Sequence, residues 1–382
     1  MKNLCLNNVE YKRLEDCCII LDNKRKPVTK TARKSGVYPY YGANGIQDYV
    51  SDYIFDGVFV LIGEDGSVVN ENGNPVVNWA EGKIWVNNHA HIIQEKDGVL
   101  LRYIFYFIQT IKIKNLIYGN IPKLTGNNFK SLKISVPSLE IQQKIAEILS
   151  AQDKVIELKQ KLIDRKKQQK KWLMQNLLTG KIRLKDFEGE WKKVKLGNIA
   201  DVKGGKRIPK GYQLQNENNG FPYITVSDME NGTVNKSTIK YVPIDIIDNI
   251  KRYKIYSDDI YISVAGTLGL IGTIPKELNG ANLTENADKI CDYHCNKQYL
   301  ISMLSSEIIQ NQIKTSQTNN AQPKLAIEQI KNFVFNLPQL EEQTAIAEIL
   351  SAQDKEIELL EKQLEQEKLK KKALIQFLLK EE

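Results

Sequence analysis

Apolar residues recur at helical spacing in two stretches of the chain, and the two stretches repeat one another. In the first, Ile141, Ile145, Ile148, Leu149, Val155, Ile156, Leu162 and Ile163 form one stripe; in the second, Ile346, Ile349, Leu350, Ile357, Leu360 and Leu364 form its counterpart. Recurrence at i, i+3, i+4 and i+7 predicts an amphipathic helix with a single long apolar face. Pro137 and Pro338 stand just ahead of the two blocks, where proline is tolerated at a helix entry, and no proline or glycine interrupts either block before Gly180. Each block is about 38 residues, roughly 57 Å at 1.5 Å per residue. A helix of that length outruns one small domain and needs a partner along its length, for which the other block is the candidate. The middles are polar: Arg165-Lys166-Lys167-Gln168-Gln169-Lys170-Lys171 in one, Glu365-Gln366-Glu367-Lys368 in the other. They read either as a solvated face or as opposed charges that orient the pairing.

The segments before the blocks have a different pattern. Residues 53–63 (YIFDGVFVLIG) and 259–264 (DIYISV) are apolar, β-branched runs between turn residues and predict strands. Short helices are expected near 101–111 and 300–313. Each segment therefore reads as a mixed domain of about 130 residues in which β-structure prevails, giving an α/β (α+β) fold class.

The repetition is literal in places. Residues 145–154 read IAEILSAQDK, and residues 346–355 read the same ten letters 201 positions later. At that offset Pro137, Leu139, Glu140 and Gln142 match Pro338, Leu340, Glu341 and Gln343; Lys123-Leu124 match Lys324-Leu325, with Pro122 and Pro323 ahead of them. Fainter echoes precede these. Tyr38-Pro39-Tyr40 resembles Phe221-Pro222-Tyr223, and Val86-Asn87-Asn88-His89-Ala90 resembles Leu283-Thr284-Glu285-Asn286-Ala287. The falling offset implies an insertion of roughly twenty residues in the second copy, placed between Ser227 and Asp258. Copies this long exceed a solenoid repeat and predict a duplicated module of domain plus helix.

Composition narrows the class. The 382 residues are 42% hydrophobic and 26% charged, an ordinary globular balance that excludes collagen, disordered tails and disulfide scaffolds. No run approaches the ~20 apolar residues of a membrane helix, and the first residues lack an apolar signal core, so a cytoplasmic protein is expected. Five cysteines, Cys5, Cys17, Cys18, Cys291 and Cys295, suit a reducing compartment. The net charge of +8 permits a nucleic-acid partner without requiring one.

Catalytic patterns are missing. Gly204-Gly205-Lys206-Arg207 lacks phosphate-loop spacing, Cys291, His294 and Cys295 have no second pair to complete a zinc site, and no nucleophile sits in an elbow. Asn87-Asn88-His89-Ala90-His91 could suggest a metal or nuclease centre, but the second copy reads Thr284-Glu285-Asn286-Ala287-Asp288. A catalytic site would not ordinarily change every side chain between duplicates. A recognition surface would, if its two copies read different things.

The paired blocks 137–154 and 338–355, the junction 177–184 (LLTGKIRL) followed by 191–197 (WKKVKLG), the Lys-Leu pairs and the Asn-His and Thr-Glu-Asn strands resemble the specificity (S, HsdS) subunit of type I restriction-modification systems over nearly the whole chain. The resemblance implies two target recognition domains joined and separated by two long antiparallel helices with pseudo-two-fold symmetry. Each domain would read one half of a split, asymmetric site on double-stranded DNA. The helices would set the spacer and dock two modification (methyltransferase) subunits, with restriction subunits joining the full complex. No cofactor is expected in this chain; S-adenosylmethionine, ATP and Mg would sit on the partners, and the chain itself would not be an enzyme. The expected boundaries are 1–136 for the first recognition domain, 137–180 for the first helix, 181–337 for the linker and second recognition domain, and 338–382 for the second helix.

Base reading calls for groove-edge donors and acceptors, Arg and Lys for guanine, Asn and Gln for adenine. The candidates are Asn44, Lys83, Asn87, Asn88, His89 and His91 in the first unit, and Lys206, Arg207, Ser227, Thr267, Thr284, Glu285 and Asn286 in the second. Lys123 and Lys324 suit phosphates better than bases. Each competes with the reading of an exposed loop residue, and His89 also with that of a buried, satisfied histidine; Tyr38, Tyr40 and Phe221 read as core. Two rival functions stay open: a coiled-coil dimeriser with two ligand-binding domains and no DNA, and an enzyme with an unrecognised nuclease site.

Overall fold

A computed structural model describes residues 9–118, 122–316 and 324–379; Cys5 and Pro323 lie outside them. The chain divides into two compact units, one made of residues 1–161 and 361–382, the other of residues 162–360. The two stripes form helices of 39 and 40 residues, α2 (Leu139–Leu177) and α5 (Leu340–Leu379). Each unit therefore holds the start of one helix and the end of the other. No helix among the described residues is long and apolar enough to cross a membrane.

The first unit carries a six-stranded mixed sheet. Its strands are β1 (Cys18–Ile20), β2 (Ser35–Gly42), β3 (Gly45–Val50), β4 (Phe55–Gly63), β5 (Val77–Val86) and β6 (Ala90–Glu95), ordered β1-β6-β4-β5-β2-β3. The apolar run in β4 is buried on both faces. Val60 and Ile62 pack with Tyr103, Ile104 and Phe107 of α1 (Leu101–Ile108), while Phe59 and Leu61 join Phe55, Ile84 and Ile92 on the other side. The α1 side of this core also takes Ile145 and Leu149 from the start of α2, and Leu378 and Leu379 from the end of α5.

The second unit repeats the plan with its sheet broken in two. Strands β7 (Asp201–Gly204), β11 (Ile260–Ser263), β12 (Ile271–Gly272) and β14 (Ala287–Cys291) are ordered β7-β14-β11-β12. Strands β8 (Pro222–Ile224), β9 (Lys240–Tyr241), β10 (Lys254–Ile255) and β13 (Ala281–Leu283) are ordered β9-β8-β13-β10. The single strand β5 thus corresponds to β12 and β13, interrupted by Pro275 and the turn Lys276–Leu278, because proline offers no N–H to a ladder. Tyr299, Leu300 and Met303 of α3 (Lys297–Ser305), with Ile309 and Ile313 of α4 (Glu307–Thr315), pack with Ile260 and Ile262, with Ile346 and Leu350 of α5, and with Leu177 and Leu178 at the end of α2.

Strand register confirms the faint echoes. Tyr40 pairs with Trp85 in parallel as Tyr223 pairs with Asn282, and Ile62 faces His91 as Ile262 faces Asp288. Strand β4 is likewise split, into β10 and β11: Ile255 pairs with Ala281 as Phe55 pairs with Ile84, and β9 lies antiparallel to β8 as β3 lies to β2, so the extra residues of the second copy fall in the connections between Ile224 and Lys254, which hold the short helix Ile247–Ile250. Details match as well. Gln142 donates to the Pro137 carbonyl (2.9 Å) and accepts from the Leu100 N–H (2.8 Å); Gln343 does the same with Pro338 (2.8 Å) and Asn296 (2.8 Å).

Within each unit the helix segments run antiparallel. In the first, Gln152 Nε2 donates to Glu367 Oε2 at 2.8 Å, Lys159 Nζ to Gln363 Oε1 at 3.0 Å, and Lys371 pairs with Asp153 at 2.5 Å. In the second, Lys166 meets Glu356 at 2.7 Å and Lys170 meets Asp354. Lys371–Asp153 and Lys170–Asp354 are the same ion pair in the two copies. The polar middles therefore hold opposed charges and are not a merely solvated face.

Candidate nucleic-acid interface

In each unit one short loop leaves the parallel strand pair and enters the strand that runs beside the central one. In the first unit it is 87–89, between β5 and β6; in the second it is 284–286, between β13 and β14. Three backbone hydrogen bonds hold both loops alike. Asn87 N–H donates to Tyr41 O (3.1 Å), Glu64 N–H to His89 O (2.9 Å) and Leu124 N–H to Glu64 O (2.8 Å). The equivalents are Thr284 to Ile224 (3.1 Å), Val264 to Asn286 (2.8 Å) and Leu325 to Val264 (2.9 Å). One backbone frame thus presents different side chains: Asn88 and His89 in one unit, Glu285 and Asn286 in the other.

Three candidates serve the frame from beneath and are corrected here. Asn87 is buried; its side-chain oxygen accepts from the His89 N–H at 2.8 Å and its amide reaches Gln47 Oε1 at 3.3 Å. Thr284, also buried, bonds Glu285 Oε2 at 3.0 Å. His91 is 1% exposed, with Nδ1 at 2.6 Å from Asp22 Oδ2 and Nε2 at 2.9 Å from the Leu124 carbonyl, its ring stacked on Phe129 at 4.1 Å. A ring with both nitrogens engaged below the surface cannot reach a base edge. His89, by contrast, is exposed, and Asp65 engages its Nδ1.

The other candidates are solvent-facing. Asn44 forms the tip of the β2–β3 turn. Lys83 stands on β5 with its ammonium 4.7 Å from the Tyr53 ring centre. Ser227 follows β8 and bonds Thr225 Oγ1 at 2.7 Å, and Thr267 lies in the turn after β11, its carbonyl accepting from Ser263 Oγ at 2.5 Å. Lys206 and Arg207 follow β7 beside the 284–286 loop, and Arg207 pairs with Glu285. Lys123 lies 3.2 Å from Glu64 Oε1. Lys324 is the cation acting on Asp288.

Lys26 escaped the sequence reading. Its N–H bonds the Val86 carbonyl (3.4 Å) as that of Lys206 bonds Leu283 (2.8 Å), so the two lysines correspond. The signal was present in Lys26-Pro27 against Lys206-Arg207-Ile208-Pro209, blurred by two inserted residues. Arg25 was also missed; its guanidinium supports the first loop from below, donating to Glu64 Oε2 and the Ala90 carbonyl at 2.6 Å each.

Asp22, Glu64 and His91 bring possible metal-ligand atoms within 4.8 Å of one another. The donor set does not fit an ion. Arg25 and Lys123 already balance Glu64, and His91 uses both ring nitrogens on protein acceptors. Burial works against ionisation of Asp22, but the hydrogen bond and charge of His91, the Ile92 N–H and Arg25 hold its carboxyl below the usual range. At the position of His91 the second unit has Asp288. Burial pushes its carboxyl up to about 6, against the pull of Lys324.

Away from the loops, each unit has a cleft where a helix end meets the domain. One is lined by Lys368, Lys371, Lys372, Ile375 and Gln376 of α5, the other by Lys167, Lys170, Lys171, Met174 and Gln175 of α2. These are the same positions 201 residues apart, with every lysine retained.

Comparison with known proteins agrees with the duplication. The family model for the type I restriction modification DNA specificity domain matches twice, over residues 7–167 and 188–368. Haemophilus influenzae S.HindORF215P, named as a type I restriction enzyme specificity subunit, is 33% identical over 275 residues, 69% of this chain and 67% of that one. The MjaVIII specificity subunit of Methanocaldococcus jannaschii is 27% identical, covering 96% of this chain and 91% of its own. The crystal structure of the type I S subunit from M. genitalium has a similar fold, with a TM-score of 0.63 at 16% identity over 98% of both chains. Two recognition modules, two long helices and a twice-matched family model make one assignment: the chain belongs to the specificity subunits of type I restriction-modification systems.

Proposed function

We propose that the two units each read one half of a bipartite, asymmetric DNA site, that the paired helices set the spacer between the halves, and that the chain docks two methyltransferase subunits. The observation that carries this is the shared loop frame. Three matching backbone hydrogen bonds support each frame, while the side chains it presents change from exposed Asn88 and His89 to half-buried Glu285 and Asn286. A frame kept constant under varied donors and acceptors is what base reading asks of a protein. Asn44, Lys83, Lys26, Lys206, Ser227 and Thr267 extend the reading surface, and Lys123 and Lys324 hold phosphates.

The two lysine-lined clefts are equivalent surfaces for two copies of one partner. Methyl transfer belongs to those partners, with S-adenosylmethionine bound there; ATP and Mg belong to restriction subunits of the larger complex. This chain supplies position and specificity and does no chemistry. The test replaces residues 1–134 with those of another family member and maps methylated adenines in cells that also express the methyltransferase. One half-site should change while the other half and the spacer stay. A change in both halves, or in neither, would refute modular reading.

A further inference from the structure

Arg207 follows a residue whose main chain is pinned through both polar groups: the Lys206 N–H donates to Leu283 O at 2.8 Å, and the Tyr223 hydroxyl donates to Lys206 O at 2.8 Å. Gly205 lies so close to the reading loop that any side chain there would collide with the Thr284 carbonyl. That approach brings Arg207 Nε to Glu285 Oε1, while Thr284 Oγ1 donates to the other carboxylate oxygen at 3.0 Å. Glu285 is fixed between two donors and only 23% exposed; Arg207 is 74% exposed, and both its terminal nitrogens lack a partner among the described residues. Burial opposes ionisation of Glu285, yet Arg207, its own backbone N–H and Thr284 hold the carboxyl below its usual range, so the pair is ionised at neutral pH.

An exposed ion pair alone contributes little to stability. Here it leaves a planar fork of two N–H donors aimed outward beside a fixed carboxylate. The pair has no net charge, and the carboxylate repels an anion, so a phosphate is a poor match. A neutral group with two adjacent acceptors is a good one, and in the major groove that is the O6/N7 edge of guanine. The first unit has no such fork, since Pro27 follows Lys26 and Asn88 stands where Glu285 does.

We propose that Arg207, aimed by Glu285, reads a guanine in the half-site served by the second unit, and only there. The proposal rests on the DNA-reading function above. The test uses the chain in complex with its methyltransferase on duplexes carrying the mapped site. Each guanine of the second half-site is replaced in turn by 7-deazaguanine, which lacks the N7 acceptor. The wild-type complex should lose roughly 5- to 150-fold in methylation rate at one of them. Arg207→Lys keeps the charge but not the fork; it should abolish that sensitivity and relax the preference at that base pair alone. Glu285→Gln should weaken it. First-half specificity unchanged in the variants shows that they fold. A half-site without guanine, indifference to 7-deazaguanine throughout, or a uniform loss on all sequences in Arg207→Lys would overturn the assignment. A wild-type complex with no sequence preference would instead sink the functional reading beneath it.

Discussion

At the scale of single residues, the two loops show how a side chain's role depends on a strand's first residue. Residues 87–91 read from sequence as one polar patch. The strand β6 begins at Ala90, so His89 stays in the exposed turn while His91 enters the ladder opposite Ile62 and is buried. Polarity marked the patch but could not place that boundary, which depends on the pairing with β4. The same position in the second copy has a titration of its own. The carboxyl of Asp288, at about 6, binds its proton more tightly in the folded chain than in the unfolded one. The folded state therefore holds more protons between pH ~4 and ~6, and stability falls as pH rises through that window. Asp288→Asn should remove the fall and raise stability at pH 7.5 by about 1–3 kcal/mol, with little effect at pH 4.5. Urea unfolding at the two pH values checks this; an equal effect at both would contradict it.

At the scale of elements, the long helices were legible because their periodicity is strong and no proline or glycine interrupts them. The central strands were legible as apolar runs between turns. What pattern could not supply was the reciprocity of the packing. The stripe at the end of α5 looks like any other amphipathic stripe, yet Leu378 and Leu379 lie in the core with α1 and the start of α2. Leu177 and Leu178 lie in the other core, with α3 and the start of α5. Apolar faces are interchangeable by composition, and only the antiparallel register fixes which core each one joins. Leu378→Ala should therefore destabilise the first unit by about 2–5 kcal/mol although the residue is near the end of the chain. In hydrogen exchange the amides of Leu101–Ile108 should lose protection while those of Lys297–Ser305 keep theirs. Loss confined to Lys297–Ser305 would refute the assignment of that helix end.

At the scale of the whole molecule, duplication was the most readable feature, because ten identical residues 201 positions apart leave one explanation. The extent of divergence was not readable: one sheet of six strands corresponds to two of four, because the counterpart of β4 is split into β10 and β11 and that of β5 into β12 and β13, with Pro275 in the second break. The helices keep the ten identical residues, which is what the proposed spacer role expects. Two ion pairs related by the internal symmetry, Lys371–Asp153 and Lys170–Asp354, hold the two antiparallel stretches in the same register. If the helices are the ruler, the spacer in the target is a property of their length. Deleting 159–162 together with 360–363 removes one matched turn from each, about 6 Å of rise, or roughly two base pairs at ~3.4 Å each. The decisive measurement is a genome-wide map of methylated adenines in cells expressing this shortened chain with its methyltransferase. The two original half-sites should appear separated by a spacer one or two base pairs shorter; the original spacer, unaltered, would rule out a helical ruler.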